Sequence, residues 1–104
     1  RFGPGQINAV YAHNDEMALG AIEAIKEAGR LDEIMVVGID GENAAFESIK
    51  NGEMAASFIY PFVAPEGIIA AFKVATGEEI EPVWTLQSQQ VDASNVDEFL
   101  GKGF

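Results

Sequence analysis

The chain has 104 residues, with six Lys and Arg against 17 Asp and Glu, and a formal net charge of −11. This length corresponds to one domain or less, because domains usually contain about 100–150 residues. So few cations cannot form a basic surface, which argues against nucleic acid or an anionic membrane as a partner. The absence of cysteine excludes disulfides and cysteine nucleophiles, while a hydrophobic fraction of 48% is typical of a globular protein.

The first predicted unit is a strand followed by a helix. Residues 7–12 form an apolar run with β-branched and aromatic members, and from Asp15 to about Ala28 apolar residues recur at steps of three and four. Asn14 is a favourable N-cap, and the acidic residues after it suit the positive end of the helix dipole. Gly29 is a typical helix stop.

The second unit repeats this pattern. Residues 34–39 are apolar throughout, which is typical of a strand buried on both faces of a parallel sheet. Asp40 follows this strand and leads into a second helix, which is expected to bury Ala45, Phe46 and Ile49.

The third unit begins with a predicted strand over residues 55–60. Pro65 fits the first turn of a third helix, since its fixed φ and missing N–H are tolerated there. The apolar stripe that this helix is expected to bury consists of Ile68, Ile69, Phe72 and Ala75. Residues 83–91 then read as a final extended segment.

The element order is therefore βαβαβα plus a last extended strand. Strands that alternate with helices predict right-handed crossovers and a parallel sheet. We predict an α/β fold with a three-layer Rossmann-like parallel sheet.

Polar side chains follow each predicted strand at one edge of this sheet. Asn14 follows the first strand, Asp40 the second, and Tyr60 ends the third. Ligands of open parallel sheets bind beyond the carboxyl ends of the strands, and an amide beside a carboxylate matches vicinal hydroxyls that both donate and accept. Helix capping is the alternative for Asn14 and Asp40, and closing a hydrophobic corner is the alternative for Tyr60.

Enzyme signatures are largely missing from the sequence. It contains no phosphate loop, dinucleotide fingerprint or nucleophile elbow, so we predict no catalysis, no catalytic residue and no cofactor. His13 is the single histidine and is more typical of a packed or exposed side chain than of a general base. Asp15, Glu16 and Asp40 leave a receiver-like, Mg²⁺-binding phosphotransfer domain as an alternative, although no Lys follows any apolar strand. Trp84 is expected in the core.

Three blocks of the sequence resemble the type I periplasmic sugar-binding proteins, the ribose-binding group. The blocks are residues 9–21 (AVYAHNDEMALGA), residues 36–41 (VVGIDG) and residues 49–57 (IKNGEMAAS). Their spacing also matches, and the resemblance covers nearly the whole chain. Lac-repressor-type regulators share the first block, so a ligand-sensing regulator domain is a further alternative, but residues 50–57 favour the transport proteins.

The resemblance implies two lobes that close on a sugar or polyol and present it to the membrane permease of an ABC transporter. It implies that residues 1–104 are part of the C-terminal lobe, with residues 83–104 as the last crossing strand and tail. By resemblance, Asn14 and Asp40 hydrogen-bond sugar hydroxyls. Tyr60 falls where ribose binders carry a Gln, which indicates a different sugar or a polyol. The implied location is the periplasm, or outside the cell on a lipid anchor.

The resemblance also implies an exposed strand edge. Such lobes place another strand beside the one from Ile7 to Tyr11, and the first two βα units of the lobe are not in this sequence. Unpaired edges recruit partners, so we expect the chain to self-associate through this edge.

Overall fold

The computed structural model describes residues 2–104 as one sheet with helices. In chain order the elements are strand β1 (Ala9–Tyr11), helix α1 (Asp15–Glu27), strand β2 (Met35–Asp40), helix α2 (Asn43–Lys50), strand β3 (Ala56–Ile59), helix α3 (Ala64–Ala75), strand β4 (Gln90–Asp92) and a 3₁₀ helix (Val96–Glu98). The sheet order is β1-β2-β3-β4; the first three strands are parallel, and β4 is antiparallel to β3. The predicted α/β fold and the element order are confirmed.

The helix signals in the sequence agree with the structure at α1. The Asn14 side chain accepts a hydrogen bond from the backbone N–H of Met17 at 2.8 Å, as an N-cap does. Gly29, just beyond the helix, has a φ of 66°, a left-handed conformation in which glycine is free of strain.

The hydrophobic core lies between one face of the sheet and the helices α1 and α2. Right-handed crossovers that step along the sheet in one direction place both helices on the same face. The largest fully buried apolar side chains are Phe46, Ile22, Ile49, Val36 and Val91. The predicted burial of Ala45, Phe46 and Ile49 is confirmed.

The opposite face of the sheet is open in the part of the chain that the structure describes. Along β2, Val36 is buried, whereas Met35 is 58% exposed, and Tyr11 and Phe58 are exposed on the two neighbouring strands. The expectation that residues 34–39 are buried on both faces is therefore wrong. Residues 35–39 do lie in an apolar strand, but no helix of residues 2–104 covers the face of the sheet that carries Met35.

Helix α3 lies apart from the sheet, and none of its residues is buried. The predicted buried stripe is wrong: Ile68 and Ile69 are exposed, and Phe72 is 65% exposed. The helix instead borders a groove opposite residues 80–86, where Trp84 lies near Ala70. Trp84, which was expected in the core, is 40% exposed.

The final extended segment is only partly a strand. Residues 90–92 pair with β3, and the N–H of Ile59 donates to the carbonyl of Gln89 at 2.9 Å. Residues 83–89 have no regular secondary structure.

The molecule is elongated and unusually exposed for its mass. Its radius of gyration is 17.8 Å and its extents are 60 × 30 × 19 Å, whereas a compact domain of this length has a radius near ~13 Å. Its accessible surface is 7061 Å², against roughly 5,700 Å² expected for a folded monomer of this mass. No helix within residues 2–104 is long and apolar enough to cross a bilayer.

Candidate ligand site at the strand ends

The ends of β2 and β3 are joined directly beside the candidate residues. The N–H of Tyr60 donates to the carbonyl of Asp40 at 3.0 Å, so these two residues are neighbours across the sheet edge. On the other side, the N–H of Ala12, just beyond β1, donates to the carbonyl of Val37 at 2.9 Å. Asn14 lies two residues further on, where α1 begins. The structure thus places Asn14, Asp40 and Tyr60 at the carboxyl edge of the three parallel strands.

One polar atom of the Asn14 side chain is hydrogen-bonded, and the other makes no hydrogen bond with the described residues. Its Oδ1 accepts from Met17 and caps α1, as the alternative interpretation predicted. Its Nδ2 makes no hydrogen bond with residues 2–104. Because the side chain is only half-buried, this N–H₂ group is available to a ligand.

Asp40 has a positive φ angle and a carboxyl group whose pKa is raised. Its φ is 128°, and it is the one non-glycine residue with positive φ among those described. Burial raises the pKa of its carboxyl above the ordinary value, and the charges of Asp15 and Glu16 raise this pKa further. The carboxyl makes no hydrogen bond or ion pair with residues 2–104. Strained backbone and perturbed acids are both concentrated at functional sites.

The aromatic residues at this edge are exposed. Tyr60 is 63% exposed, so it does not close a hydrophobic corner. The His13 ring packs edge-on against Tyr11, with 5.3 Å between the ring centroids. This arrangement matches the packed or exposed role expected for a lone histidine.

Sequence reasoning named Asp15 as a candidate Mg²⁺ ligand but missed that its carboxylate is buried beneath the site. Asp15 is fully buried, its Oδ2 accepts from the N–H groups of Gly41 and Glu42 at 2.8 and 2.9 Å, and the Ser57 hydroxyl lies 2.8 Å from both of its oxygens. These bonds occupy the oxygens that a receiver-like metal site would need. Within residues 2–104, no three acidic or histidine side chains converge in a way that could hold a metal ion.

The C-terminal residues also reach this edge, which no pattern in the sequence indicated. The backbone of Gly103 exchanges two hydrogen bonds with the side chain of Asn43, at the start of α2. The ring of Phe104 packs edge-on against Phe62, with centroids 5.2 Å apart. Aromatic side chains therefore lie close to the turn that carries Asp40.

Residues 2–79 match the family described as periplasmic binding protein domain. The chain belongs to this family. It is 37% identical over 79 residues to the ribose import binding protein of Haemophilus influenzae, covering 74% of this chain and 26% of that protein. It is 38% identical over 100 residues to a putative rhizopine-binding protein of Rhizobium meliloti, covering 93% of this chain and 32% of that protein.

Solved structures of this family share the fold. An ABC transporter solute-binding protein from Bacillus halodurans, solved with bound myo-inositol, superposes with a TM-score of 0.81 at 37% identity. The alignment covers 92% of this chain and 34% of that structure. This periplasmic binding protein chain therefore spans between about a quarter and a third of the length of these relatives.

Proposed function

We propose that this chain contributes one wall of the binding cleft in a sugar- or polyol-binding protein of an ABC-type uptake system. The two similar proteins named above are described as binding ribose and rhizopine, and the similar structure holds myo-inositol, a cyclic polyol. All three descriptions concern capture of a ligand and not its conversion. In this proposal the protein is not an enzyme, acts in the periplasm or on a lipid anchor outside the cell, and delivers its ligand to a membrane permease.

Free hydrogen-bonding groups at one sheet edge carry this proposal. Asn14 offers an amide N–H₂ and Asp40 a carboxyl, and neither group is satisfied by residues 2–104. A donor and an acceptor held at adjacent strand ends suit the hydroxyl groups of a polyol, each of which donates one hydrogen bond and accepts others. The exposed Tyr60 ring is suited to the apolar face of the ligand.

The alternative functions have less support. The receiver-like interpretation requires Asp15 as a metal ligand, yet its oxygens already accept hydrogen bonds from buried donors. A regulator of the lac-repressor type would require a DNA-binding part outside these 104 residues. The net charge of −11 argues against nucleic acid as a partner of this part.

An NMR titration of the ¹⁵N-labelled chain tests the proposal. One wall of a cleft binds weakly, so we expect millimolar myo-inositol, xylitol or ribose to cause saturable shifts at Asn14, Asp40 and Tyr60. Asp40→Asn is expected to reduce these shifts severalfold, whereas Asp32→Asn, a change before β2 and away from the strand ends, should leave them unchanged. Shifts that are absent, or that occur only at the groove beside α3, would contradict the proposal.

We also propose that the chain self-associates through the free edge of β1. Backbone groups of Asn8 and Ala12 bond to β2, so in the period-two pattern of a strand the N–H and C=O groups of Ala9 and Tyr11 face outwards.

Light scattering tests this self-association. We expect a mass above the 11.1 kDa of one chain at high concentration. Ala9→Pro removes an outward N–H without touching the bonds to β2, so it should restore the single-chain mass, whereas Ala9→Thr keeps the donor and should not. A mass of one chain at every concentration would rule out the edge as an interface.

A further inference from the structure

The buried carboxylate of Asp15 connects the chain segments that contain the three parallel strands. Asp15 begins α1 immediately after the β1 edge, it accepts from the Gly41 and Glu42 amides that follow β2, and it accepts from the Ser57 hydroxyl on β3. Its partners lie 26, 27 and 42 residues away in the sequence. A single side chain thus fixes the relative positions of the elements that carry Asn14, Asp40 and Tyr60.

The charge of Asp15 is balanced by backbone dipoles. The ion pairs found in residues 2–104 all involve other acids. Asp15 instead lies at the positive end of α1, and its two amide donors directly precede α2, whose own N-cap Glu42 makes no side-chain cap. The Asp15 carboxylate therefore lies beside the N-terminal end of α2 as well as in the first turn of α1, and a negative charge is favourable at both positions.

The local sequence leaves room for this carboxylate. A Cβ on Gly38 would lie 2.3 Å from Oδ1 of Asp15, so only glycine fits at that position of β2. Gly41, with a φ of 87°, packs so tightly on β3 that a Cβ would lie 2.8 Å from a side-chain carbon of Ile59. Both glycines allow the turn after β2 to close over Asp15.

The peptide group that follows Asp40 is held at both of its polar ends. The Asp40 carbonyl accepts from Tyr60, and the next two amides along the chain donate to Asp15. The φ of 128° at Asp40 is unfavourable for a residue with a Cβ and persists only where the surroundings impose it. The Asp15 bonds supply that constraint on the C-terminal side of Asp40.

We propose that Asp15 is the positioning residue of the ligand site, which holds the turn after β2 so that Asp40 presents its carboxyl to a hydroxyl of the ligand. Asp15 itself is buried and does not touch the ligand. The proposal rests on the proposed function for its ligand, whereas the constraint on Asp40 is measurable without any ligand.

Asp15→Asn separates positioning from simple stabilisation, with Ser57→Ala as the matched control. Asp15→Asn keeps an oxygen that can accept from the Gly41 and Glu42 amides but removes the negative charge that strengthens both hydrogen bonds. Ser57→Ala removes the hydroxyl that donates to Asp15 and leaves both amide bonds of the turn. In the folded Asp15→Asn chain we expect the Gly41 and Glu42 amides to exchange about tenfold faster, with a changed amide-to-α-proton coupling at Asp40. Ser57→Ala should lower stability and leave that coupling unchanged.

The sugar titration adds a readout that loss of stability alone would not give. For Asp15→Asn we expect ligand-induced shifts at Asp40 to fall severalfold while those at Asn14 are largely kept, since Asn14 caps its own helix. Equal losses at both residues, or an unchanged coupling at Asp40, would overturn the positioning role. If the parent chain shows no ligand shifts, the proposed function fails, and the coupling and exchange data still decide the role of Asp15.

A second variant covers the case in which Asp15→Asn does not fold. Glu42→Pro removes one amide donor to Asp15 at a residue whose φ of −71° a proline ring matches. We expect the amide-to-α-proton coupling of Asp40 to change in the same direction as in Asp15→Asn, but by less. An Asp40 conformation identical to that of the parent would count against the proposal.

Discussion

The side chain of Asn43 pairs with the backbone of Gly103, donating to its carbonyl at 2.8 Å and accepting from its N–H at 2.9 Å. This reciprocal pair imitates a backbone ladder between residues 60 positions apart in the sequence. It joins the C-terminal segment to the start of α2, beside the turn that carries Asp40.

Loss of this pair is expected to destabilise the fold. Asn43→Ala removes two partly buried hydrogen bonds and should lower the free energy of unfolding by about 1–2 kcal/mol. Urea unfolding followed by far-UV circular dichroism measures the change. Asn51→Ala, at an exposed position just after α2, is the control and should stay within about 0.5 kcal/mol of the parent. Equal stability of the Asn43 and Asn51 variants would show that the pair contributes nothing.

Two glycine-to-alanine changes should have opposite effects. At Gly38 the new Cβ would lie 2.3 Å from Asp15 and 3.2 Å from the Cβ of Ala18, so Gly38→Ala should lose about 1–3 kcal/mol of stability. Gly20 lies in the middle of α1 with open space around it, so Gly20→Ala should gain about 0.5–1 kcal/mol. Thermal unfolding of both variants measures the difference. Stabilisation by Gly38→Ala would mean that the carboxylate does not lie over β2.

The backbone strain at Asp40 predicts a preference for glycine over alanine. Asp40→Ala and Asp40→Gly both remove the carboxyl, but only glycine accepts a φ of 128° without strain. The glycine variant should therefore be more stable than the alanine variant by about 1 kcal/mol. Chemical unfolding of the pair, with Asp32→Ala and Asp32→Gly as controls that should show the reverse order, tests this. The same order at both positions would argue against strain at Asp40.

Stability should fall as pH rises through the mildly acidic range. Burial raises the pKa of Asp40 and also that of Glu42, and neighbouring acids, among them Glu16, raise both further. The folded protein then binds these protons more tightly than the unfolded chain, so the free energy of unfolding decreases from about pH 4 up through the raised folded pKa values. Because both groups are partly exposed, the total change should stay below about 1 kcal/mol.

Urea midpoints between pH 4 and pH 7 measure this dependence. Asp40→Asn should flatten the slope, whereas Asp32→Asn should keep it. At lower pH the trend reverses, because hydrogen bonds lower the pKa of Glu33 and Asp92, and their stabilisation is lost as the pH falls through these lowered values. A slope that Asp40→Asn leaves unchanged would assign the effect to other groups.

Sequence reasoning predicted well where local signals and packing agree. The cap at Asn14, the apolar periodicity of α1 and α2 and the turn after β2 all produce the elements that the pattern indicated. The strand-end residues follow from topology, because parallel strands bring their carboxyl ends to one edge.

Sequence reasoning failed where the burial of a side chain depends on residues that are far away in the sequence or outside it. Ile68 and Phe72 have the spacing of a buried stripe, but spacing does not state whether a packing partner lies within the same 104 residues. Asp15 was placed in the first turn of α1, yet its partners are 26 to 42 residues away, and no local pattern marks them. Gly38 and Ser57 on adjacent strands were the available signals, and they become informative only once the strand register is known.

The isolation of α3 has a consequence for cooperativity. A helix of 12 residues is marginal in water by itself, and no residue of α3 is buried. We therefore expect α3 to melt before the core around Phe46. Trp84, the only tryptophan, borders the α3 groove, so its fluorescence should report that early local event. A fluorescence midpoint below the circular dichroism midpoint would reveal two transitions, and any stability read from tryptophan alone would describe the helix and not the fold.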